Sequence, residues 1–512
     1  MTLKKIISLS LSMVFTLGCF PFAFCAGAVS QPFPEGTADS GYFRIPSLTT
    51  LKSGRVFASA DIRYGNGTDS PANIDTGVRF SDDSGESWSD VQFVNHFTDF
   101  EDKSSDEVVI SSASFIDSTA VADGEGNIYL LCDACPAFMG APYAKPFDNG
   151  FLGGKIALRD KTTETELESE KLDEKHYPYY IDEFENGFAP VRKYADSTPY
   201  NGYFVDREYN LYKMNNNTLE KVMINQLDRL GNKTDTLTQA NVFYACSPLK
   251  IYPAFYLWMR KSTDGGETWS EPMILNPQIN SKGFTAACPG KGFCCEINGT
   301  ERIFFPIYDN NDGAERTSVI YSDDSGITWR RSEKIRGGIF GIKSSEGQLV
   351  QLSGGTLRLY SRNKAGYIGY SDSTDGGATW SRYRLDPELK YCSDCMVSFM
   401  NYDGLIDGQK AIIASYPTTK KRKKGVVRVG IYGEDNKVDW KYCYNVTDDD
   451  TDFTFVYSCL SQLYDGRIAL FYENDKAALT YAAYSVSDLS VNEKSETFFD
   501  KIAKFFVRVF AG

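Results

Sequence analysis

The chain has 512 residues, of which 42% are hydrophobic, so its composition is that of a globular protein and excludes a mainly disordered one. The formal net charge of −14 makes nucleic acid and anionic membranes poor overall partners. Salt screens distant charges, so an acidic substrate remains compatible with this charge if a local basic pocket exists. The 43 glycines, 32 tyrosines and 34 phenylalanines are typical of short strands joined by tight turns, and they predict an all-β chain.

The first 28 residues have the pattern of a secretory signal peptide. Two lysines precede a mostly apolar stretch over residues 6–24, and Ala26-Gly27-Ala28 gives a small-residue cleavage site. A lipoprotein signal that ends at Cys19 is the alternative. Both interpretations predict export, to the medium or to the cell surface. No later segment of the sequence is apolar over enough residues to span a bilayer.

An eight-residue pattern, S-x-D-x-G-x-[ST]-W, occurs four times. Its aspartate can close a turn by accepting backbone N–H bonds, its glycine can adopt a positive φ, and its tryptophan can bury a large apolar area. We therefore expect four hairpin turns with buried tryptophans, which indicate the fold and not the chemistry. The copies are Ser81–Trp88, Ser262–Trp269, Ser322–Trp329 and Ser373–Trp380.

The last three copies are spaced by about the length of one four-stranded propeller blade. Residues 141–240 interrupt the spacing with a charged stretch and a tyrosine-rich stretch, so we expect an insertion there. It either shapes a sugar site at a blade rim or is a surface excursion. The remaining length fits six blades. The predicted organisation is a signal peptide (1–28), a six-bladed β-propeller (29–490) that contains the insertion, and a C-terminal segment (491–512).

The C-terminal segment has the spacing of an amphipathic helix over residues 495–510. It would pack against the propeller or a partner, or lie on a membrane surface. Its apolar positions are Phe498, Phe499, Ile502, Phe505, Phe506 and Val509, flanked by Lys501, Lys504 and Arg508.

Two of the cysteine spacings, Cys132-x-x-Cys135 and Cys392-x-x-Cys395, are those of metal ligands. The two pairs lie far apart in a chain with only 2 histidines, so we expect no metal site. Export would permit disulfides, but their pairing does not follow from the sequence.

The motif Phe43-Arg44-Ile45-Pro46, followed by the four turns, resembles the bacterial sialidases, or neuraminidases, of glycoside hydrolase family 33. In that family the turns are called Asp boxes. The similarity extends from about residue 40 to about residue 485. It implies an exo-α-sialidase that removes terminal sialic acid from glycoproteins, glycolipids or oligosaccharides and needs no cofactor.

The resemblance assigns three arginines, Arg44, Arg362 and Arg422, to the carboxylate of sialic acid. Guanidinium groups stay charged and bind carboxylates through two parallel hydrogen bonds. Arg428 is an alternative for the third position. Glu473 resembles the family's glutamate that holds the first arginine.

The same resemblance assigns Tyr457 as the nucleophile, Glu346 as its base and Asp69 as the acid/base. A neutral phenol avoids the repulsion that a carboxylate nucleophile would meet from the substrate's own carboxylate, and sialidases are the known exception to the two-carboxylate scheme. A free tyrosine has a pKa of about 10, so it needs a base nearby. Arg63 and Asp117 resemble residues that contact the O4 side of the sugar.

Two alternatives to hydrolysis remain open at this stage. A trans-sialidase, or an intramolecular one, would use the same residues and pass the sugar to another acceptor. A sialoglycan-binding lectin or adhesin would need the arginines but not the set of Asp69, Glu346 and Tyr457.

Overall fold

The computed structural model describes residues 29–100, 109–143, 148–160, 171–228, 230–338, 341–392, 394–447, 454–474, 479–491 and 498–510. Within these residues the chain is built almost entirely of β-strands, so the predicted all-β class is confirmed. Runs of β-branched and aromatic residues alternate with Gly, Asp and Ser clusters, which end each strand after a few residues and turn the chain. The predicted signal peptide lies outside the described residues.

The first sheet has nine strands in two antiparallel groups. A parallel pairing of Ile74 with Ser114 joins the groups. The first group is β1 (Tyr42–Thr50), β2 (Val56–Arg63), β3 (Ile74–Ser81) and β4 (Gln92–Asn95), and the second is β5 (Ser114–Ala122), β6 (Ile128–Cys135), β17 (Tyr256–Ser262) and β18 (Met273–Ile274), with β20 (Gly290–Lys291) beside β5.

Further antiparallel sheets follow along the chain. Ser30 pairs with Tyr481 at the outer edge of the last one, so the first residues of the described chain join its last sheet. Such a succession of small antiparallel sheets is a propeller-like arrangement. Their strands are β19 (Thr285–Ala287), β21 (Phe293–Ile297), β22 (Thr300–Asp309), β23 (Arg316–Ser322) and β24 (Arg330–Arg331); β25 (Gly347–Gln351), β26 (Leu357–Ser361), β27 (Tyr367–Ser373) and β28 (Arg384–Lys390); β29 (Ser398–Ile406), β30 (Gln409–Pro417), β31 (Gly425–Tyr432) and β32 (Val438–Asn445); and β33 (Ser458–Gln462), β34 (Ile468–Glu473) and β35 (Leu479–Tyr484).

All four eight-residue repeats connect the last two strands of their groups, as predicted for hairpin turns. Trp329 and Trp380 are buried as expected. Trp88 and Trp269 are partly buried, and each packs against a neighbouring hydrophobic cluster. Their indole N–H groups donate to Ser30 (3.0 Å) and Gln92 (3.4 Å).

The fourth repeat shows how the turn is held together. The Asp375 carboxylate accepts hydrogen bonds from the backbone N–H groups of Ala378 (3.1 Å) and Thr379 (3.0 Å) and from the Thr379 hydroxyl (2.5 Å). We expect Asp375→Ala to lower the free energy of unfolding by about 1–2 kcal/mol, because these donors lose their partner. Urea unfolding measures this change. Thr374→Ala, in the same exposed turn, is the control, and equal stability of the two variants would contradict the turn's role.

The segment between β6 and β17 forms a second sheet, ordered β13-β12-β11-β10-β9-β8-β16 with β7 beside β8, and a separate hairpin of β14 and β15. Because β16 belongs to this sheet, the inserted segment extends past the expected residue 240. Tyr177 is buried in its core, and Tyr179 stacks on Tyr200 with ring centroids 3.7 Å apart. The strands are β7 (Phe151–Leu152), β8 (Lys155–Asp160), β9 (Tyr179–Ile181), β10 (Phe188–Lys193), β11 (Pro199–Asp206), β12 (Leu211–Asn215), β13 (Thr218–Lys221), β14 (Met223–Leu227), β15 (Lys233–Gln239) and β16 (Leu249–Ile251).

Two helices follow the last strand, α1 (Val486–Leu489) and α2 (Phe498–Phe510). Lys504 and Arg508 of α2 both pair with Glu388 on β28, so this helix contacts the body of the protein. Its apolar side chains Phe505, Phe506 and Val509 are more than half exposed. None of the helices in the described parts of the chain has the length and apolar character to cross a membrane.

Candidate active site

One cavity brings together side chains from several sheets. Arg44 and Ile45 come from β1, Asp69 from the loop after β2, and Asp117 from β5. The other walls of the cavity are formed by Ser70, Ile116, Ala141, Phe255, Phe284, Tyr308, Glu346, Arg362 and Tyr457. Six of the predicted site residues therefore share this cavity, although they are spread along most of the chain.

Tyr457, Glu346 and Arg362 form a connected group. The Tyr457 hydroxyl donates to Glu346 Oε1 (2.7 Å), and Arg362 Nη1 donates to the Tyr457 oxygen (2.8 Å) and to Glu346 Oε2 (2.9 Å). Burial and the Glu346 carboxylate raise the pKa of Tyr457 well above its usual range, against the opposing effect of Arg362. The hydroxyl is therefore protonated without substrate, and its proton has an acceptor already in contact.

Strained backbone turns Arg44 into the cavity. Ile45 has a φ of 60°, which is unusual for a β-branched residue, and the register of β1 with β2 shifts between Arg44 and Ser47. Buried Glu473 holds the strained turn, because its Oε1 accepts from the Ile45 N–H (3.0 Å) and from Arg44 Nε (3.3 Å). The predicted contact of Glu473 with the first arginine is present.

Asp69 lies at the open side of the cavity, with a side chain that is 68% exposed. Its Oδ1 accepts hydrogen bonds from Arg44 Nη1 (3.0 Å) and Arg63 Nη1 (2.5 Å). The surrounding protein partly desolvates the carboxyl group, which raises the pKa of Asp69, but the charges of Arg63 and Arg44 lower it more, so that it lies below its usual range. Arg63 itself is only 1% exposed, is not part of the cavity wall, and also bonds to Asp61 (2.8 Å).

Asp117 lines the cavity from β5, which is a second irregular strand. Its φ is 62°, and the register of β5 with β6 shifts between Ile116 and Thr119. Burial and then the nearby carboxylate of Asp61 raise the pKa of Asp117 well above its usual range. A protonated carboxyl group here can donate a hydrogen bond to a neutral sugar hydroxyl.

The two candidates for the third arginine occupy different places. The Arg422 guanidinium lies 6.0 Å from the centre of the Tyr457 ring, and its Nη2 donates to the backbone oxygen of Asp394 (2.7 Å). Arg428 is buried in β31 and bonds to the backbone oxygens of Glu388 (3.1 Å) and Trp440 (3.0 Å). The structure thus places Arg422 beside the other site residues, and Arg428 in the packing between strands.

The cysteine pairs belong to the packed interior. Cys132 and Cys135 lie on β6, and Cys392 and Cys395 lie in the loop between β28 and β29, with all four side chains buried. Among the described residues, no group of three or more His, Cys, Asp or Glu side chains is arranged to hold a metal ion.

Several cavity residues were not predicted from the sequence. Phe255, Phe284 and Tyr308 form an aromatic wall whose rings pack edge to face, with centroids 4.9 Å and 5.3 Å apart. In the sequence they are indistinguishable from core residues. Asp394 was also missed, although its carboxylate contacts Arg362 (2.9 Å).

A propeller-like all-β fold with arginines, a glutamate-bonded tyrosine and an exposed aspartate around one cavity defines a class, the propeller-fold glycoside hydrolases. The profile of the BNR repeat-like domain matches residues 236–470. An anhydrosialidase from Macrobdella decora is 32% identical over 88% of this chain and 62% of its own length. Sialidase B from Streptococcus pneumoniae is also 32% identical, over 85% of this chain and 62% of its own length.

Among solved structures, the intramolecular trans-sialidase from Ruminococcus gnavus superposes with a TM-score of 0.79 at 32% identity. That similarity covers 91% of this chain and 99% of the other. The chain therefore belongs to the sialidase family, as its motifs indicated. It spans 62% of the length of the two curated relatives.

Proposed function

We propose that the protein is an exo-α-sialidase that removes terminal sialic acid with net retention, through a covalent bond to Tyr457. The observation that carries the proposal is the 2.7 Å contact between the Tyr457 hydroxyl and Glu346, in a cavity that also holds Arg44 and Arg362. A tyrosine bonded to a base beside cationic groups is the arrangement needed to attack an anomeric carbon that carries a carboxylate.

The sugar carboxylate would bind between Arg44, Arg362 and Arg422. These three side chains are already held by Glu473 and Asp394, so their orientation is set before the substrate arrives. The substrate would displace Asp69 from Arg44, which frees the Asp69 carboxyl group for proton transfer.

In the first displacement, Tyr457 loses its proton to Glu346 while its oxygen attacks the anomeric carbon. Asp69 gives a proton to the departing glycosidic oxygen. In the second displacement, Asp69 takes a proton from water, which attacks the same carbon, and the tyrosine oxygen leaves and regains its proton. Two inversions give net retention. Arg63 would keep Asp69 in place through its hydrogen bond to the carboxylate. Asp117 would donate a hydrogen bond to a hydroxyl on the O4 side of the sugar.

We further propose that the sheets are six blades, with the nine-stranded sheet as two of them. The pairing of Ser30 with Tyr481 supports a closed ring, because its N–H···O bonds (3.0 Å and 2.8 Å) supply an outer partner for β35. Export by residues 1–28 belongs to the same proposal and would bring the enzyme to sialylated glycoproteins, glycolipids and oligosaccharides. The C-terminal helix or a lipid at Cys19 would attach it to a surface.

Intramolecular transfer is the second candidate, and the high similarity to an intramolecular trans-sialidase favours it. A hydroxyl of the bound sugar would then replace water in the second displacement and give an anhydro sugar.

The products separate the two reactions. Incubation with 3′-sialyllactose is expected to release free sialic acid, detected by mass spectrometry and seen by NMR first as the α-anomer. A product lighter by one water would assign intramolecular transfer and contradict hydrolysis. First appearance of the β-anomer would contradict retention. Absence of any cleavage, with retained binding to sialylated glycans, would assign a lectin.

A further inference from the structure

Asp394 contacts two of the arginines that we assign to the substrate carboxylate. Its Oδ1 accepts a hydrogen bond from Arg362 Nε (3.0 Å) and lies 2.9 Å from Nη2 in an ion pair. Its backbone oxygen accepts from Arg422 Nη2 (2.7 Å). One residue thus fixes guanidinium groups that come from two different sheets, β25–β28 and β29–β32.

Asp394 and the other site residues contact opposite sides of the Arg362 guanidinium. Asp394 occupies the edge formed by Nε and Nη2, while Nη1 donates to Glu346 and Tyr457. A substrate carboxylate would bind the Nη1–Nη2 edge by replacing one of these Nη1 contacts. The Asp394 pairing therefore orients that edge towards the Tyr457 hydroxyl, where the anomeric carbon would lie.

The backbone around Asp394 is itself anchored. Its N–H donates to the backbone oxygen of Asn363 (2.8 Å), the residue next to Arg362, and the Tyr391 hydroxyl accepts from the Asn363 N–H (2.7 Å). Cys392 and Cys395, on either side of Asp394, are buried. The two cysteines noted in the sequence thus pack the loop that carries Asp394 against the interior of the protein.

Asp394 has the same relation to Arg362 that Glu473 has to Arg44. In both pairs a carboxylate accepts a hydrogen bond from the Nε of an arginine whose Nη1 contacts another site residue. The two carboxylates differ in exposure, since the Asp394 side chain is 43% exposed and that of Glu473 is 4% exposed. Asp394 is therefore the more readily substituted of the two without disturbing the core.

We propose that Asp394 is a positioning residue for carboxylate recognition, which it performs by orienting Arg362 and Arg422. This inference rests on the proposed function. The substrate carboxylate is present in both the ground state and the transition state. Misplaced arginines therefore weaken the binding of both states equally. Loss of the Asp394 charge should therefore raise KM more than it lowers kcat.

Asp394→Asn is the test, because asparagine tolerates the positive φ of 57° and keeps the backbone bond to Arg422. With a fluorogenic α-sialoside, we expect KM to rise about tenfold and kcat to change less than about threefold. The affinity for the substrate analogue 2-deoxy-2,3-dehydro-sialic acid, measured by calorimetry, should fall by a similar factor. Asp394→Gly, which also suits this backbone, should behave alike.

Asp407→Asn is the matched control. Asp407 also has a positive φ (52°) and an ion pair, with Lys441 (2.7 Å), but it lies in the turn between β29 and β30. We expect wild-type KM and kcat from this variant. An Asp394→Asn protein with unchanged KM, or one that loses kcat alone, would overturn the inference.

A double-mutant cycle tests whether Asp394 affects substrate binding through Arg362. In an Arg362→Ala background, Asp394→Asn should weaken binding of the same analogue by less than about twofold, because its partner is already absent. Additive losses would contradict the positioning role. Failure of the wild-type protein to cleave any sialoside would instead contradict the proposed function, so the two failures are distinguishable.

Discussion

Replacing Tyr457 with phenylalanine is expected to lower kcat at least about a thousand-fold, because the proposed mechanism needs the Tyr457 oxygen to attack the anomeric carbon. Glu346 keeps Arg362 as a partner at 2.9 Å, so the buried carboxylate is not left uncompensated and the protein should fold. Release of the fluorophore from an aryl α-sialoside measures the loss, and thermal unfolding verifies the fold.

Tyr472→Phe is the control for the loss of a buried phenol in the same sheet, since Tyr472 lies on β34 next to Ser458. It should retain wild-type activity. Turnover by Tyr457→Phe at the wild-type rate would refute the nucleophile assignment. If the wild-type protein binds sialosides without cleaving them, and Tyr457→Phe binds equally well, the lectin interpretation is correct.

Asp69→Asn is expected to have the second largest effect, and the size of this effect should depend on the leaving group. With 3′-sialyllactose, whose leaving group needs a proton, kcat/KM should fall at least about a hundredfold. With an aryl sialoside, whose leaving group departs without help, kcat/KM should fall less than about tenfold. The aryl substrate thus serves as the internal control, and equal losses on both substrates would contradict the acid role.

The pH profile of the wild-type enzyme tests the same assignment. An acid catalyst loses activity as the pH rises through its pKa. Partial desolvation raises the pKa of Asp69, but Arg63 and Arg44 lower it more, so kcat/KM, which reports the free enzyme, should decline at a lower pH than kcat. A bound carboxylate would neutralise these arginines and raise the pKa of Asp69, so kcat should decline at a higher pH. The reverse order would contradict this mechanism.

The local sequence determined the turns of the fold. Each S-x-D-x-G-x-[ST]-W copy carries its own hydrogen-bond acceptor, flexible glycine and apolar ring, so the four turns required no distant information. How far each tryptophan is buried depends on the neighbouring sheet, since Trp329 and Trp380 are buried whereas Trp88 and Trp269 are partly buried. The end of the insertion was also misjudged, since β16 pairs with the distant strand β8.

Most of the site followed from the motifs, because residues such as Arg44 and Tyr457 stand in recognisable patterns. Asp394 stands in none, and the spacing of its two cysteine neighbours gave no indication of a contact with an arginine. Its contact with Arg362 exists because the loop after β28 packs against the end of β26.

The sequence by itself determined the all-β class, the turns and the residue types on which the proposed function depends. The tertiary structure decided which of these residues meet. Arg44 and Glu473 are separated by 429 positions, yet their side chains touch because the first and last sheets of the chain lie side by side. It also decided the protonation of Tyr457 and Asp69, since a pKa depends on burial and neighbouring charges that only the assembled fold brings together.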